Sequence, residues 1–288
     1  MKIVGKMTAL LLAGAALLSF AGCKDDEWKA SSDISVISRE DGSGTRSAFI
    51  ELFGIEKKVD GKKTDFTTTD ASVTNSTAVM LTTVAGDQYA IGYVSLGSLN
   101  DSVKALDVEG ASASVENINN GSYKIARPFN VAVKDDLSAS AKDFLNYILS
   151  DQGQNVIESN KYIKVSSGTY EGTAGEEKVV VSGSSSVSPV MEKLIEAYKE
   201  INPSANIELQ TSDSTTGVQN AISGTCDIGI ASRSLKASEL SEGVNEITIA
   251  MDGIAVIVNK ANPLTSITKD QVESIFTGTC TAWNEIVK

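Results

Sequence analysis

The sequence predicts an α/β fold built as two lobes, and three observations carry that expectation. Short β-branched runs alternate with amphipathic stretches along the chain, the pattern of strands and helices packed in layers. Beyond an apolar leader of 22 residues, 266 of the 288 remain, more than one hydrophobic core ordinarily organises and enough for two lobes of moderate size. A polar, glycine-rich stretch, SSGTYEGTAGEEK at 166–178, interrupts the alternation without a hydrophobic period and reads as a linker.

Taken in order, the chain opens with Lys2 and Lys6, an apolar run from Met7 to Phe20, and the small residues Ala21 and Gly22 before Cys23. This is a signal peptide over residues 1–22, its run shorter than the roughly 20 apolar residues that a membrane span needs. A small-residue site ending on cysteine resembles the bacterial lipobox. That resemblance implies lipidation of Cys23 and a body anchored to the cell membrane, facing the extracytoplasmic side. Phe20 departs from the branched aliphatic residue usual there. The charged stretch after Cys23 has no hydrophobic period and reads as a tether over residues 23–32. For Trp28 two readings stay open, the bilayer interface or no contact at all.

ISVIS, YAIGYVSL and YKIARPFNVAV read as strands, and SAFIELFG and AKDFLNYILSDQGQNVIES as helices. After the linker the order is strand, helix, strand, helix, strand, with Val190, Leu194, Ile195 and Tyr198 forming the apolar stripe of the first of these helices. EITIAMDGIAVIVNKANPL then reads as strands and SITKDQVESIFTG as a helix begun by a Ser or Thr cap, before TAWNEIVK closes the chain.

Composition narrows the function. Without the leader's two lysines the net charge moves from −12 to −14, which argues against nucleic acid or an anionic membrane surface as the main partner. There is no histidine and no Cys-x-x-Cys, so the usual transition-metal sites and histidine-based triads are absent; no cofactor is implied, and the expectation is a binding protein, not an enzyme. Cys226 and Cys280 follow the anchor cysteine, and pairing between them stays open for an exported chain.

Three segments share one design, a strand followed by a Gly/Ser/Thr-rich turn that opens a helix: SREDGSGTR at 38–46, GSSSVSP at 183–189 and DSTTG at 213–217. The first N–H groups of a helix lack intrahelical partners and sit at the positive end of its dipole, so together they favour a bound anion. Glycine admits close approach of the backbone, and Ser and Thr add hydroxyls that donate or accept. Taken singly, Ser43, Ser185 and Ser214 also fit ordinary helix caps. Arg39 offers a charge-assisted fork to an oxyanion, with Asp41 placed to orient it. GSGTR lacks the lysine and spacing of a P-loop, which sets nucleotide hydrolysis aside.

VSGSSSVSPVMEKLIEAY, TTGVQNAISGTCDIGIASR, AMDGIAVIVNKANP, IFTG with its following Trp, and ISREDGSGTR together resemble the phosphate-binding proteins of Pst-type phosphate ABC importers. The resemblance implies a two-lobed periplasmic-binding-protein fold of type II, each lobe a mixed sheet flanked by helices, joined by a two-strand hinge. It implies an extracytoplasmic component that hands inorganic phosphate to permease and ATPase subunits, as a monomer. The family's ordinary order runs from GSSSV through IFTG into SREDGSGTR, whereas here SREDGSGTR comes first, so the chain reads as circularly permuted, with 166–178 joining the usual ends. A truncated tandem copy is the alternative. The expected division is a discontinuous lobe of 33–130 plus 260–288 and a continuous lobe of 134–253, with strands near RPFNVAV and DGIAVIV crossing the hinge.

Carried across position by position, the family's phosphate shell falls on Arg39, Ser43, Gly44, Thr45, Ser185, Ser186, Ser214 and Ser232. Ser232 stands where some relatives place an aspartate that accepts the proton of hydrogen phosphate, with Asp41 or Asp213 as substitutes. Arg233 beside it reads as an ion-pair residue outside the shell. Receptors for sulfate, molybdate or another oxyanion, and a sensory surface lipoprotein, stay open as alternatives.

Overall fold

The computed structural model describes residues 27–172 and 175–287; the expected signal peptide and the expected lipidation site Cys23 lie outside the described residues. The chain begins with β1 (Ser35–Arg39), α1 (Gly44–Leu52), the hairpin β2 (Glu56–Val59) and β3 (Lys62–Asp65), β4 (Ser72–Thr74), α2 (Thr77–Gly86) and β5 (Ala90–Ser95). Short β6 (Lys104–Ala105), β7 (Asp107–Val108) and α3 (Val115–Asn119) lead to β8 (Ala126–Val133). Then come α4 (Ala139–Leu149), α5 (Asp151–Ser159), β9 (Lys178–Ser184), α6 (Ser188–Ile201), β10 (Asn206–Ser212), α7 (Ser214–Ser223) and β11 (Ile228–Ala231). The chain closes through α8 (Ala237–Leu240), β12 (Asn245–Val258), β13 (Ser266–Ile267) and α9 (Lys269–Phe276).

One sheet runs through both lobes in the order β10-β9-β11-β8-β12-β5-β1-β4. Within each lobe the outer strands are parallel, β1 with β4 and β5, β9 with β10 and β11. Parallel strands joined by helical crossovers bring all their carboxyl ends to one edge, and the following helices start there. β12 joins the halves. Its first part, to Gly253, pairs antiparallel with β8, and its last part, from Ile254, pairs antiparallel with β5.

Each lobe has its own core. Phe129, Phe144, Tyr162, Val181 and Leu194 are buried in one, with the expected stripe of α6 facing inward; Phe49, Phe53, Tyr93, Phe276 and Trp283 are buried in the other, where Phe49 stacks on Tyr93 at 3.9 Å between ring centres. Thr268 caps α9 in a capping box with Gln271, as its sequence implies.

Several sequence expectations change in detail. The helix expected over 141–159 is two helices, because Ser150 ends the first by donating to the Tyr147 carbonyl at 2.7 Å and starts the second by accepting from the Gly153 N–H. The strands expected in EITIAMDGIAVIV are one 14-residue strand. The segment expected as a free tether is docked from Trp28 onward: Trp28 packs against Tyr89 and Trp283, and the Trp283 N–H donates to the Ser32 carbonyl. The stretch expected as a plain linker is also fastened, since the Tyr170 hydroxyl donates to Asp143 at 2.6 Å and the Asp151 N–H to the Gly168 carbonyl at 2.7 Å. Cys226 and Cys280 are free, buried thiols in the cores of different lobes, so the disulfide left open above is not formed; burial pushes the Cys226 thiol up to about 12. Among the described residues no helix is long and apolar enough to cross a membrane.

Candidate functional site

The carboxyl ends of β1, β9, β10 and β11 meet where the two lobes face one another, and there the three turns of the sequence converge. In the second lobe β9 ends on Ser184 and the chain turns into α6. The cap position of α6 falls on Val187, which has no capping side chain, so the hydroxyls of Ser185 and Ser186 are free for the cleft. At α7 the capping is done by Asp213, whose carboxylate accepts from the Thr216 N–H at 2.9 Å. That frees Ser214, whose Oγ accepts from the Ser232 N–H at 3.0 Å and lies 3.3 Å from Ser232 Oγ. Ser184 donates to Ser232 Oγ from the other side at 3.0 Å.

In the first lobe Ser43 does cap α1, its Oγ accepting from the Arg46 N–H at 3.2 Å. The next two residues reach across. Thr45 Oγ1 lies 2.7 Å from Ser186 Oγ, and Gly44 lies so close to the second lobe that a Cβ there would stand 2.3 Å from Ser214 Oγ and 2.7 Å from Ser232 Oγ. Only a residue without a side chain fits at 44.

Arg39, at the end of β1, donates to Ser185 Oγ at 3.1 Å. Its Nε and NH2 are held by both oxygens of Glu40 at 2.8 and 2.7 Å. Glu40 thus takes the orienting role expected of Asp41, which is exposed and pairs with Arg46 at 2.7 Å. Asp213 is likewise occupied with its own helix, through Thr216, so neither aspartate takes the acceptor role expected of it beside Ser232. Arg233 bonds both oxygens of Glu239, at 2.7 and 2.8 Å, a buried ion pair and not a cleft residue.

The eight residues expected at the site therefore come together, every side chain among them at most 8% exposed. A ninth, Thr77, was missed. It opens α2 behind the cap Ser76; its N–H donates to Ser185 Oγ at 3.3 Å and its Oγ1 lies 3.1 Å from Ser186 Oγ. NSTAVM carries a cap signal but no glycine, which is why it did not stand out beside the other turns.

Beneath the cleft, Arg127 on β8 pairs with Asp252 on β12 at 3.1 Å, and its NH1 donates to the Ser232 carbonyl at 3.2 Å. Ser95 of the first lobe donates to the other Asp252 oxygen at 2.9 Å. Burial pushes the Asp252 carboxyl up and the Arg127 guanidinium down, each opposed by attraction to its partner.

Four helix N-termini, six hydroxyls and one guanidinium thus face each other across the lobes, with one carboxylate already committed to Arg39. Each hydroxyl has a donor and acceptor side, so the set can turn its protons toward a negative ligand. Among the described residues no three metal-ligating side chains cluster. The chemistry on offer is desolvated capture of a small anion.

The sequence matches the PBP superfamily domain over residues 17–152 and 168–287. It is 52% identical to the phosphate-binding protein PstS 2 of Streptococcus agalactiae serotype V, over 98% of this chain and 99% of that one. It is 41% identical to the phosphate-binding protein PstS 2 of Streptococcus pneumoniae serotype 4, over 98% of each. The crystal structure of a phosphate-binding protein of a phosphate ABC transporter from Streptococcus pneumoniae matches with a TM-score of 0.68 and 43% identity, covering 88% of this chain and 100% of that one. The chain belongs to the PBP superfamily and, within it, to the family of Pst-type phosphate-binding proteins.

Proposed function

We propose that this chain is the extracytoplasmic binding component of a phosphate ABC importer. Inorganic phosphate is held between the lobes by Arg39, Thr77, Ser185, Ser186, Ser214, Ser232, Gly44, Thr45 and the α1 turn at Ser43, then delivered to permease and ATPase subunits. The observation that carries the reading is the meeting of helix N-termini and hydroxyls from both lobes around one buried guanidinium. The chain acts by binding and closure, without turnover and as a monomer, and lipidated Cys23 anchors it to the membrane. The relatives support this by their names, as phosphate-binding proteins of transporters.

The chain order is that of a circular permutant. In its favour, the Ile34 N–H donates to the Thr281 carbonyl at 2.8 Å, so the two segments that the ordinary order would join lie side by side. The lobe boundary expected between 130 and 134 moves to Ile125–Ala126, with the return at Gly253–Ile254, because β8, which contains RPFNVAV, pairs along its length with β11 and β12 of the second lobe and does not cross the hinge.

Calorimetry of the protein stripped of endogenous ligand tests the function: one phosphate per chain, with sulfate competing more weakly, is expected. Because Ser232 stands where a carboxylate acceptor would repel a proton-less anion, the sulfate arm reads selectivity directly. Equal or tighter sulfate binding would move the assignment to a general oxyanion receptor, and no binding of either anion would end it.

A further inference from the structure

One pair of contacts joins the lobes without using any ligand-facing group. The turn between β1 and α1, closed by the Ser43 N–H on the Glu40 carbonyl at 3.0 Å, points the Gly42 carbonyl at the second lobe. Both its donors come from Thr215, the N–H at 3.2 Å and the hydroxyl at 3.2 Å. Behind Thr215, Arg233 NH2 donates to the same hydroxyl at 3.2 Å while both oxygens of Glu239 hold the guanidinium. A guanidinium only donates, so the Thr215 oxygen must accept from it, and the single hydroxyl proton is left for Gly42.

We propose that Gly42 and Thr215, braced by Arg233 and Glu239, form a latch that sets the balance between closed and open lobes, with Thr215 a positioning residue that never touches the ligand. Thr215 sits in the first turn of α7, where its N–H has no intrahelical partner, so one carbonyl from the other lobe satisfies two donors at once. A Cβ at Gly42 would lie 2.3 Å from Asp213 Oδ1, so a side chain there must displace either the turn or the Asp213 carboxylate that caps α7. Both bonds bridge the lobes, so separating the lobes must break them; the latch therefore shifts the population toward the closed form and slows release while leaving first encounter unchanged. Its role as a control on phosphate residence rests on the function proposed above; its control of closure does not.

The test is the distribution of distances between spin labels placed on cysteines introduced at the exposed positions Lys62 and Lys199, one per lobe, in the full chain with and without inorganic phosphate. The buried thiols of Cys226 and Cys280 stay unlabelled in the native state, and Cys23→Ser is made in every chain compared so that the third cysteine takes no label. Thr215→Val keeps the shape and removes the hydroxyl, and is expected to lower the closed-to-open ratio about 3- to 10-fold, the range of one net hydrogen bond. Thr215→Ser should restore it, and Gly42→Ala should open the lobes further. Phosphate release followed by stopped flow should quicken by the same factor with unchanged association. Closed fractions in Thr215→Val and Gly42→Ala equal to the unmodified protein's would overturn the latch. A wild-type distribution indifferent to phosphate would count against the proposed ligand alone, because the variants are compared in its absence as well.

Discussion

The contacts between the lobes at the cleft and at the hinge are made of different material. Across the cleft, hydroxyl meets hydroxyl at Thr45–Ser186 and Thr77–Ser186, and the Arg39 guanidinium meets the Ser185 hydroxyl. At the hinge, β12 runs through both halves of the sheet, and the Arg127–Asp252 pair is locked between Ser95 on one side and the Ser232 carbonyl on the other. Hydroxyls exchange partners at little cost, since each can donate or accept. A fully buried ion pair has no such freedom, because separating it strands a charge out of water. For the function proposed above, this leaves the cleft able to trade its contacts for a ligand and the hinge able to keep its own.

The difference can be broken most forcefully at the hinge. Asp252→Ala leaves the buried Arg127 guanidinium without its partner and is expected to cost about 3–5 kcal/mol in urea unfolding. Replacing both members by leucine should return most of that loss. A single variant as stable as the parent would mean that the pair is not the hinge's anchor.

At the cleft the same surgery should act on binding and spare the fold. Arg39→Ala removes charge-assisted bonds worth about 1.5–3 kcal/mol to an anion, so phosphate affinity should fall roughly 10- to 150-fold by calorimetry while the ligand-free melting temperature changes little. Glu40, partly exposed, can hydrate once Arg39 is gone. Unaltered affinity would take Arg39 out of the site.

How much of this was written in the chain is uneven, and the reason is physical. The turns at 38–46, 183–189 and 213–217 were legible because glycine and clustered hydroxyls before an amphipathic helix have a local cause. Whether a serine caps its helix or faces the cleft was not, since that depends on a neighbour: Val187 and Asp213 hold the cap positions and so release Ser185, Ser186 and Ser214, while Ser43 is spent on its own helix. Glu40 displaced Asp41 because the turn aims it at Arg39 and leaves Asp41 to Arg46. Trp28 and Tyr170 sit in segments without periodicity, and their docking onto Trp283 and Asp143 joins positions far apart in the chain that no local pattern announces.

The smallest expected effect concerns acid. Burial alone would raise the Glu239 carboxyl, but the bonds from Arg233 and the Lys236 N–H outweigh it and hold the group below its ordinary value. A carboxyl depressed in the folded state adds stability above its unfolded value, about 4.3, and loses it as pH falls through the folded one. Urea midpoints measured from pH 7 down to pH 3 should therefore fall more steeply in the parent than in Glu239→Gln. Parallel curves would show that the brace behind Thr215 carries no such linkage.

Arsenate, which shares phosphate's shape and protons, reports directly on the anion position proposed between helix N-termini from both lobes. Anomalous diffraction from crystals grown with arsenate should show one arsenic per chain, between Arg39 and Ser214 and within reach of Thr45 and Thr77. Arsenic bound only elsewhere, or a cleft left without it at saturating arsenate, would contradict the site.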